Sequence, residues 1–537
     1  MRTSDRKIVL RSLFALLVLG MSPSLFWGDE PILRKTIDGE IKRAWEKEKI
    51  TPASRSSDGE FLRRVYLDLI GTVPTYDETL AFLADSDSGK RGKLVDRLLS
   101  DPRFAAAQAN VWDLVFFGRS PGNIEATRKR DGFKSFLAKQ FAEKVPFDLL
   151  VRDLLQAEKP GSELFYVQFR NQPEEAAVHV SRIFLGMQLQ CARCHDHPFD
   201  KWTQKDFYGV AGFFVRLVVQ ETTSGNTKTF TIGEKNTGEV LFSGAAKDQT
   251  PGKKGDPVRP KFLGGVELDE PPTPKDAKET APKEGTKLPK PGFSRKEKFA
   301  SWLTAAENPY LARAVVNRVW AQFLGRGLVH PIDDFQAENL PSHPELLKTL
   351  TASFSAHQFD LRWLIREIVN SETYQLSQSG AGKEALPKWF ERARVRPLTA
   401  EEIMVTMRRV TANPTDKLET KLTNSGEEYF LRYFGEPTNG LGNFQGSLQE
   451  HLFLNHGEQV RGLIRRAKGN LADLLLTSTD PVEKKIERLY LTILQRKPTE
   501  REQSGFAEYL KRKEKAETLI EDCIWVLLNS SEFRFNH

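Results

Sequence analysis

The chain has 537 residues, 39% of them hydrophobic and 28% charged, with a formal net charge of +7. It is too long for one core and apolar enough for two or three globular domains, which excludes a chain disordered throughout. Residues 1–28 carry four basic residues and one acidic residue, so a chain without them has a charge of about +4 and nothing in it calls for nucleic acid.

Arg2, Arg6, Lys7 and Arg11 precede the apolar run Ser12 to Met21, which is too short to span a bilayer comfortably. Residues 1–28 therefore read as an export signal, with cleavage expected after Ser24 or Gly28 and a retained N-terminal anchor as the alternative. No cysteine precedes Cys191, so a lipid-anchored lipoprotein is excluded. The expected protein is periplasmic or secreted, with no membrane span in the mature chain.

Residues 29–219 read as a helical domain. Phe61, Leu62, Val65, Tyr66, Leu69 and Ile70 form an apolar stripe at helical spacing, Thr75 and Glu78 fit a capping box, and Pro102 suits a first helical turn. Ala176, Ala177, Val180, Ile183, Phe184 and Met187 share one further helical face. If that helix continues, Cys191, Cys194 and His195 extend the same face and turn the thiols inward, with Gly186 permitting close approach.

Residues 220–268 read as a small β-insert, with Lys228 to Ile232 and Val240 to Phe242 flanking a turn. Residues 269–293 are rich in Pro and Lys and read as a disordered linker. Residues 294–537 form a second helical domain. Its helix starts are marked at Asn308-Pro309, Pro344, Asp360, Thr399 with Glu402, Asp480-Pro481 and Thr499 with Glu502. Asn317, Arg318, Trp320, Asp333 and Asp334 suit a buried polar network rather than a pocket. His343 suits a helix cap, and His179 a helix surface. Cys523 falls on an apolar helix side with Leu519, Ile520, Val526 and Leu527, as a buried free thiol. Residues 411–450 show no readable pattern. The fold class is mainly α: two helical domains with a small β-insert and a disordered linker between them.

Two of the three cysteines lie in Cys191-Ala192-Arg193-Cys194-His195. C-x-x-C-H is the attachment sequence for haem c: the thiols bind the haem vinyl groups and the histidine supplies an axial nitrogen to iron. Asp196, His197 and Asp200 would surround it. No methionine lies between Met187 and Met404, so a nearby Met ligand is absent, and His330, His343, His357, His451 or His456 could serve only through the fold. The alternative is non-haem Zn or Fe held by Cys191, Cys194, His195 and His197. A thioredoxin-like redox pair is a third reading, against which the helical surroundings argue. Catalytic residues are not readable: the chain has no phosphate loop, nucleophile elbow or H-E-x-x-H.

FLRRVYLDLIGTVPT, KLVDRLLSDPRF, VPFDLLVRDLL and FLGMQLQCARCHDHPFDKWTQKDFYGVAGFF resemble a planctomycete cytochrome-like domain of unknown function, the PSCyt type. NPYLARAVVNRVWAQFLGRGLVHPIDDF, SHPELL, LIREIVNSETYQLS, RPLTAEEI and LLNSSEFRFNH resemble its companion, the PSD-type C-terminal domain of unknown function. The resemblance covers nearly the whole mature chain. It implies export and a cytochrome connection, without an activity. Many relatives carry cysteines after an FG-x-P sequence in the C-terminal domain. Here Phe434 to Gly457 contains none, so no role of those cysteines transfers. The expected function is electron transfer or redox assistance to an exported partner or enzyme. The rival is a protein with a structural metal whose second domain binds a partner or polysaccharide, and a metal-dependent enzyme is a further reading.

Overall fold

The computed structural model describes residues 33–118, 130–225, 227–242, 254–272, 290–382, 386–412 and 448–537. The leader, most of the linker and most of the cysteine-free 434–457 stretch lie outside the described residues.

The first half is helical as far as residue 211: α1 (Leu33–Glu48), α2 (Asp58–Ile70), α3 (Tyr76–Ala84), α4 (Lys90–Ser100), α5 (Pro102–Phe117), α6 (Arg130–Ala142), α7 (Phe147–Gln156), α8 (Leu164–Val167), α9 (Pro173–Val180) and α10 (Gln204–Ala211). Local chemistry sets these boundaries. Ser57 Oγ accepts the Glu60 amide at the start of α2, and Gly71, in the left-handed region at φ 70°, ends it. Thr75 and Glu78 form the expected capping box of α3, and Pro102 occupies the first turn of α5. All six residues of the α2 stripe are buried.

Small two-stranded sheets come next in the chain: β1 (Leu217–Ser224) pairs antiparallel with β2 (Thr227–Glu234), and β3 (Val240–Leu241) with β4 (Pro257–Val258). This corrects the expected hairpin, because 228–232 pairs backward with β1 rather than forward with 240–242. Residue 215 onward alternates polar and β-branched residues only weakly, so β1 carries little sequence signal while the second strand of its hairpin carries a clear one.

The second half comprises α11 (Arg295–Leu303), α12 (Leu311–Leu324), α13 (Pro344–Ala356), α14 (Leu361–Val369), β5 (Arg396–Pro397), α15 (Ala400–Thr411), α16 (Leu448–His456), α17 (Glu458–Ile464), α18 (Leu471–Thr477), α19 (Val482–Ile493), α20 (Glu500–Tyr509), α21 (Ala516–Leu528), α22 (Ser531–Arg534) and β6 (Phe535–Asn536), which pairs with β5. Thr399 with Glu402 and Thr499 with Glu502 form the expected capping boxes. Cys523 is a buried free thiol, and burial pushes its pKa up to about 12. Val526, assigned to the same apolar side, is exposed instead.

The apolar core crosses the linker. One cluster runs from Leu33 in α1 through α2, α5, α7 and α9 to α12, α13 and α14. A second joins Leu67 of α2 and Val73 just after it to α15 and the helices from α16 onward. Arg63 of α2 reaches across the chain: its guanidinium donates to Gln495 Oε1 at 2.7 Å and to the Phe533 carbonyl at 2.8 Å. Among the described residues, no helix is long and apolar enough to cross a membrane.

Candidate functional site

Helix α9 opens on Pro173 and passes into a wider π-type turn at Ser181–Leu185. Gly186 then takes φ 69°, and its amide and that of Met187 both donate to the Ser181 carbonyl, closing the helix. A Cβ at Gly186 would stand 2.6 Å from the Phe335 ring, and the Phe335 amide donates to the Gly186 carbonyl at 2.9 Å. The chain turns and forms a 3-10 turn at Leu189–Arg193. Leu189 and Ala192 are buried there, whereas Cys191 and Cys194 are exposed. The expected continuation of the helical face, with thiols turned inward, is therefore corrected: the helix stops before the motif, and the tighter turn points the thiols outward.

Helix α10 anchors the motif turn from its C-terminal side. Its N-cap Thr203 shares a capping box with Asp206, and Asp206 pairs with Lys261 at 2.7 Å. Gln204, whose side chain is fully buried, donates from Nε2 to the Arg193 carbonyl at 2.9 Å and from its backbone amide to Asp196 Oδ1 at 2.9 Å. Tyr208 Oη donates to the same Arg193 carbonyl at 3.3 Å. Arg193 itself pairs with Glu175 of α9 at 2.7 Å. None of these supporting residues stands out in the sequence reading. A signal was present all the same: Thr203-x-x-Asp206 marks a helix start immediately behind the motif.

The two histidines of the motif loop hold opposite tautomers. His195 Nδ1 lies 2.7 Å from the Asp196 carbonyl, which only accepts, so Nδ1 is the donor of that bond and, in the neutral ring, Nε2 is the nitrogen with the lone pair. His197 Nδ1 accepts the Phe199 amide at 3.3 Å, so its proton is on Nε2. In the neutral rings this arrangement leaves a lone pair at Nε2 of His195, while Nδ1 of His197 is taken up by the Phe199 amide.

The described residues include Cys191, Cys194, His195, His197 and Asp200, and no three His, Cys, Asp or Glu side chains among those described are grouped to hold a metal ion. Among the described residues the four-ligand Zn or Fe cage is not assembled: both thiols are exposed on the turn, and His197 Nδ1 accepts the Phe199 amide of its own loop. Covalently attached haem would call for two accessible thiols and one imidazole able to offer Nε2; here both thiols are exposed and His195 Nδ1 is engaged by a carbonyl. Beside the motif, a cavity of about 450 Å³ is lined by Phe169, Gln172, Glu175 and Arg193 among others, a mostly polar wall.

The remaining candidates sort clearly. His179 does not face solvent with its ring nitrogen: Nε2 is buried, and the ring packs 4.9 Å from Phe169 and 5.8 Å from Phe165, centroid to centroid. Burial, with the Arg182 charge beside it, lowers its pKa to about 3. His343 occupies the N-cap position of α13 but makes no capping bond. It is buried against Trp389 and Phe390, and burial lowers its pKa to about 4. Asn317 Nδ2 donates to the Val329 and Ile332 carbonyls and Arg318 pairs with Asp333, so the expected polar network forms in part. Trp320 Nε1 is buried without a hydrogen-bond partner among the described residues, and Asp334 accepts from Gln336 Nε2.

Two protein-family models match this chain. PSCyt2, described as a protein of unknown function (DUF1549), covers residues 36–218, and PSD1, described as a protein of unknown function (DUF1553), covers residues 295–439. The chain carries a PSCyt2 region followed by a PSD1 region. The motif loop closes the first matched region, and the Arg318 network lies within the second. No curated protein and no solved structure matches the chain.

Proposed function

We propose that this PSCyt2–PSD1 chain is an exported protein that carries haem c at its C-x-x-C-H turn and acts in electron transfer, serving an exported redox partner or enzyme. The observation carrying this reading is the pair of exposed thiols beside an imidazole whose Nδ1 is committed to a carbonyl. Cys191 and Cys194 would form the two thioether bonds, each thiol adding its sulfur and hydrogen across one vinyl group, and His195 Nε2 would be the axial ligand. Haem so held supplies one-electron chemistry. The exposed turn leaves both sulfurs accessible to the attachment machinery, and the α10 bonds keep the imidazole from swinging away. Export belongs to the same reading, since attachment takes place outside the cytoplasmic membrane and the leader provides the route.

The test is production of the full chain in a host competent in cytochrome c maturation, with a visible spectrum, metal analysis and haem staining after denaturation. A Soret band that stays with the denatured polypeptide, and is lost in Cys191→Ala with Cys194→Ala, is expected. Stoichiometric zinc with no Soret band overturns the proposal.

A further inference from the structure

We propose that Gln204 is the positioning residue of the site, holding His195 in the tautomer that leaves Nε2 free. The inference rests on the reading of His195 as a ligand, but its test does not require haem. Free histidine side chains in water favour the proton on Nε2, so a neutral imidazole that exposes Nε2 must be held there by an acceptor at Nδ1. Here that acceptor is the Asp196 carbonyl, at 2.7 Å. A carbonyl in a surface turn serves only if the peptide cannot rotate: the 196–197 peptide is held at its far end by the His197 amide, which donates to the Trp202 carbonyl at 2.8 Å, and Gln204 fastens the turn on both sides of the Cys194-His195 pair. Its Nε2 holds the carbonyl of Arg193, the residue before the pair, and its backbone amide holds the carboxylate of Asp196, the residue after it.

The arrangement suits its parts. Gln204 is the first residue of α10, where the backbone amide has no partner within the helix and the helix dipole favours a carboxylate. Its side chain is fully buried, so the amide-to-carbonyl bond is shielded from competing water. The capping box and the Lys261–Asp206 pair anchor that helix end. Gln204 acts through the backbone from which Cys194 and His195 hang.

The experiment uses the haem-free full chain labelled with ¹⁵N-histidine, with long-range ¹H–¹⁵N spectra recorded at about pH 8.5. His195→Gln and His197→Gln assign the two rings. The expected result is Nδ1–H as the main form of His195 and Nε2–H as that of His197. In Gln204→Met, which keeps the volume but removes the side-chain donor, the Nδ1–H to Nε2–H ratio of His195 should fall at least about threefold while His197 is unchanged. A wild-type His195 with its proton mainly on Nε2 overturns the proposal without any variant. So does a Gln204→Met protein that is less stable but keeps the wild-type ratio, since that is a purely structural role. Failure of haem attachment would be read separately, from the Soret band of denatured protein.

Discussion

At the scale of single residues, the informative groups are those whose protonation the fold decides. His179 sits with its Nε2 buried, beside Arg182, and its pKa falls to about 3. A histidine near 6.5 when unfolded and near 3 when folded binds its proton more readily in the unfolded chain. Its contribution to stability is therefore complete above about pH 6.5 and is lost as the pH falls toward 3. His343, lowered to about 4 by burial, acts in the same direction. Part of the His179 ring surface remains exposed, so the expected loss from this residue between pH 7 and pH 4 is on the order of 2 kcal/mol rather than the full linkage value. His179→Phe keeps an aromatic ring beside Phe165 and Phe169 and removes the titration. Urea unfolding at pH 7 and pH 4.5 should show a smaller acid-induced drop in the variant than in the parent chain. An unchanged drop would mean that His179 is not the group responsible.

At the scale of elements, the junction between α9 and the motif turn decides where the thiols go. Gly186 lies at φ 69° with the Phe335 ring in the space a side chain would need. Gly186→Ala meets both obstacles and should cost about 2 kcal/mol. Thermal unfolding measures this directly. Adding Phe335→Ala should recover only part of the interaction loss, because the steric conflict goes while the backbone strain stays. A double variant with strictly additive losses would rule out the contact. The same junction shows what the sequence could reveal. Capping boxes at Thr75, Thr399 and Thr499 were legible because each is a bond between residues three apart. The apolar face of α9 was legible for the same local reason. Its end was not read, although Gly186 closes the helix locally; the Phe335 ring that fills the space beside Gly186 comes from nearly 150 residues away, and the sequence pattern projects the motif onto a helix that has already closed. The motif itself was legible in its spacing, but the outward thiols, the partners of the two imidazole Nδ1 atoms and the Gln204 bonds needed the turn itself.

At the scale of the whole molecule, the boundary that is clear in sequence is not a boundary in the core. The two family matches are separated by residues 219–294, yet the first apolar cluster contains residues from both matched regions. Polar contacts cross as well. Trp45 Nε1 donates to the Trp389 carbonyl at 2.7 Å, Asp38 accepts the Glu372 and Thr373 amides at 2.9 and 3.0 Å, and Arg64 donates to the Tyr374 and Leu376 carbonyls at 2.8 and 2.9 Å. Burial lowers the Arg63 pKa to about 10, and this guanidinium rests on carbonyls from the far end of the chain. Apolar contact on this scale is stronger than the weak, polar interfaces that let neighbouring domains move independently. Trypsin tests the point, because the linker presents Lys275, Lys278, Lys283 and Lys287 in a stretch with few apolar residues. Brief digestion should cut there first and give two fragments on a denaturing gel that still elute together by native size exclusion and melt in one transition. Arg63→Met, which leaves the Ile493 and Phe533 carbonyls without their buried donor, should lower the urea midpoint of the nicked complex by more than that of the intact chain, since the nick removes the covalent tether. Fragments that separate on native elution would show that the shared core does not hold the halves together, and that the linker does.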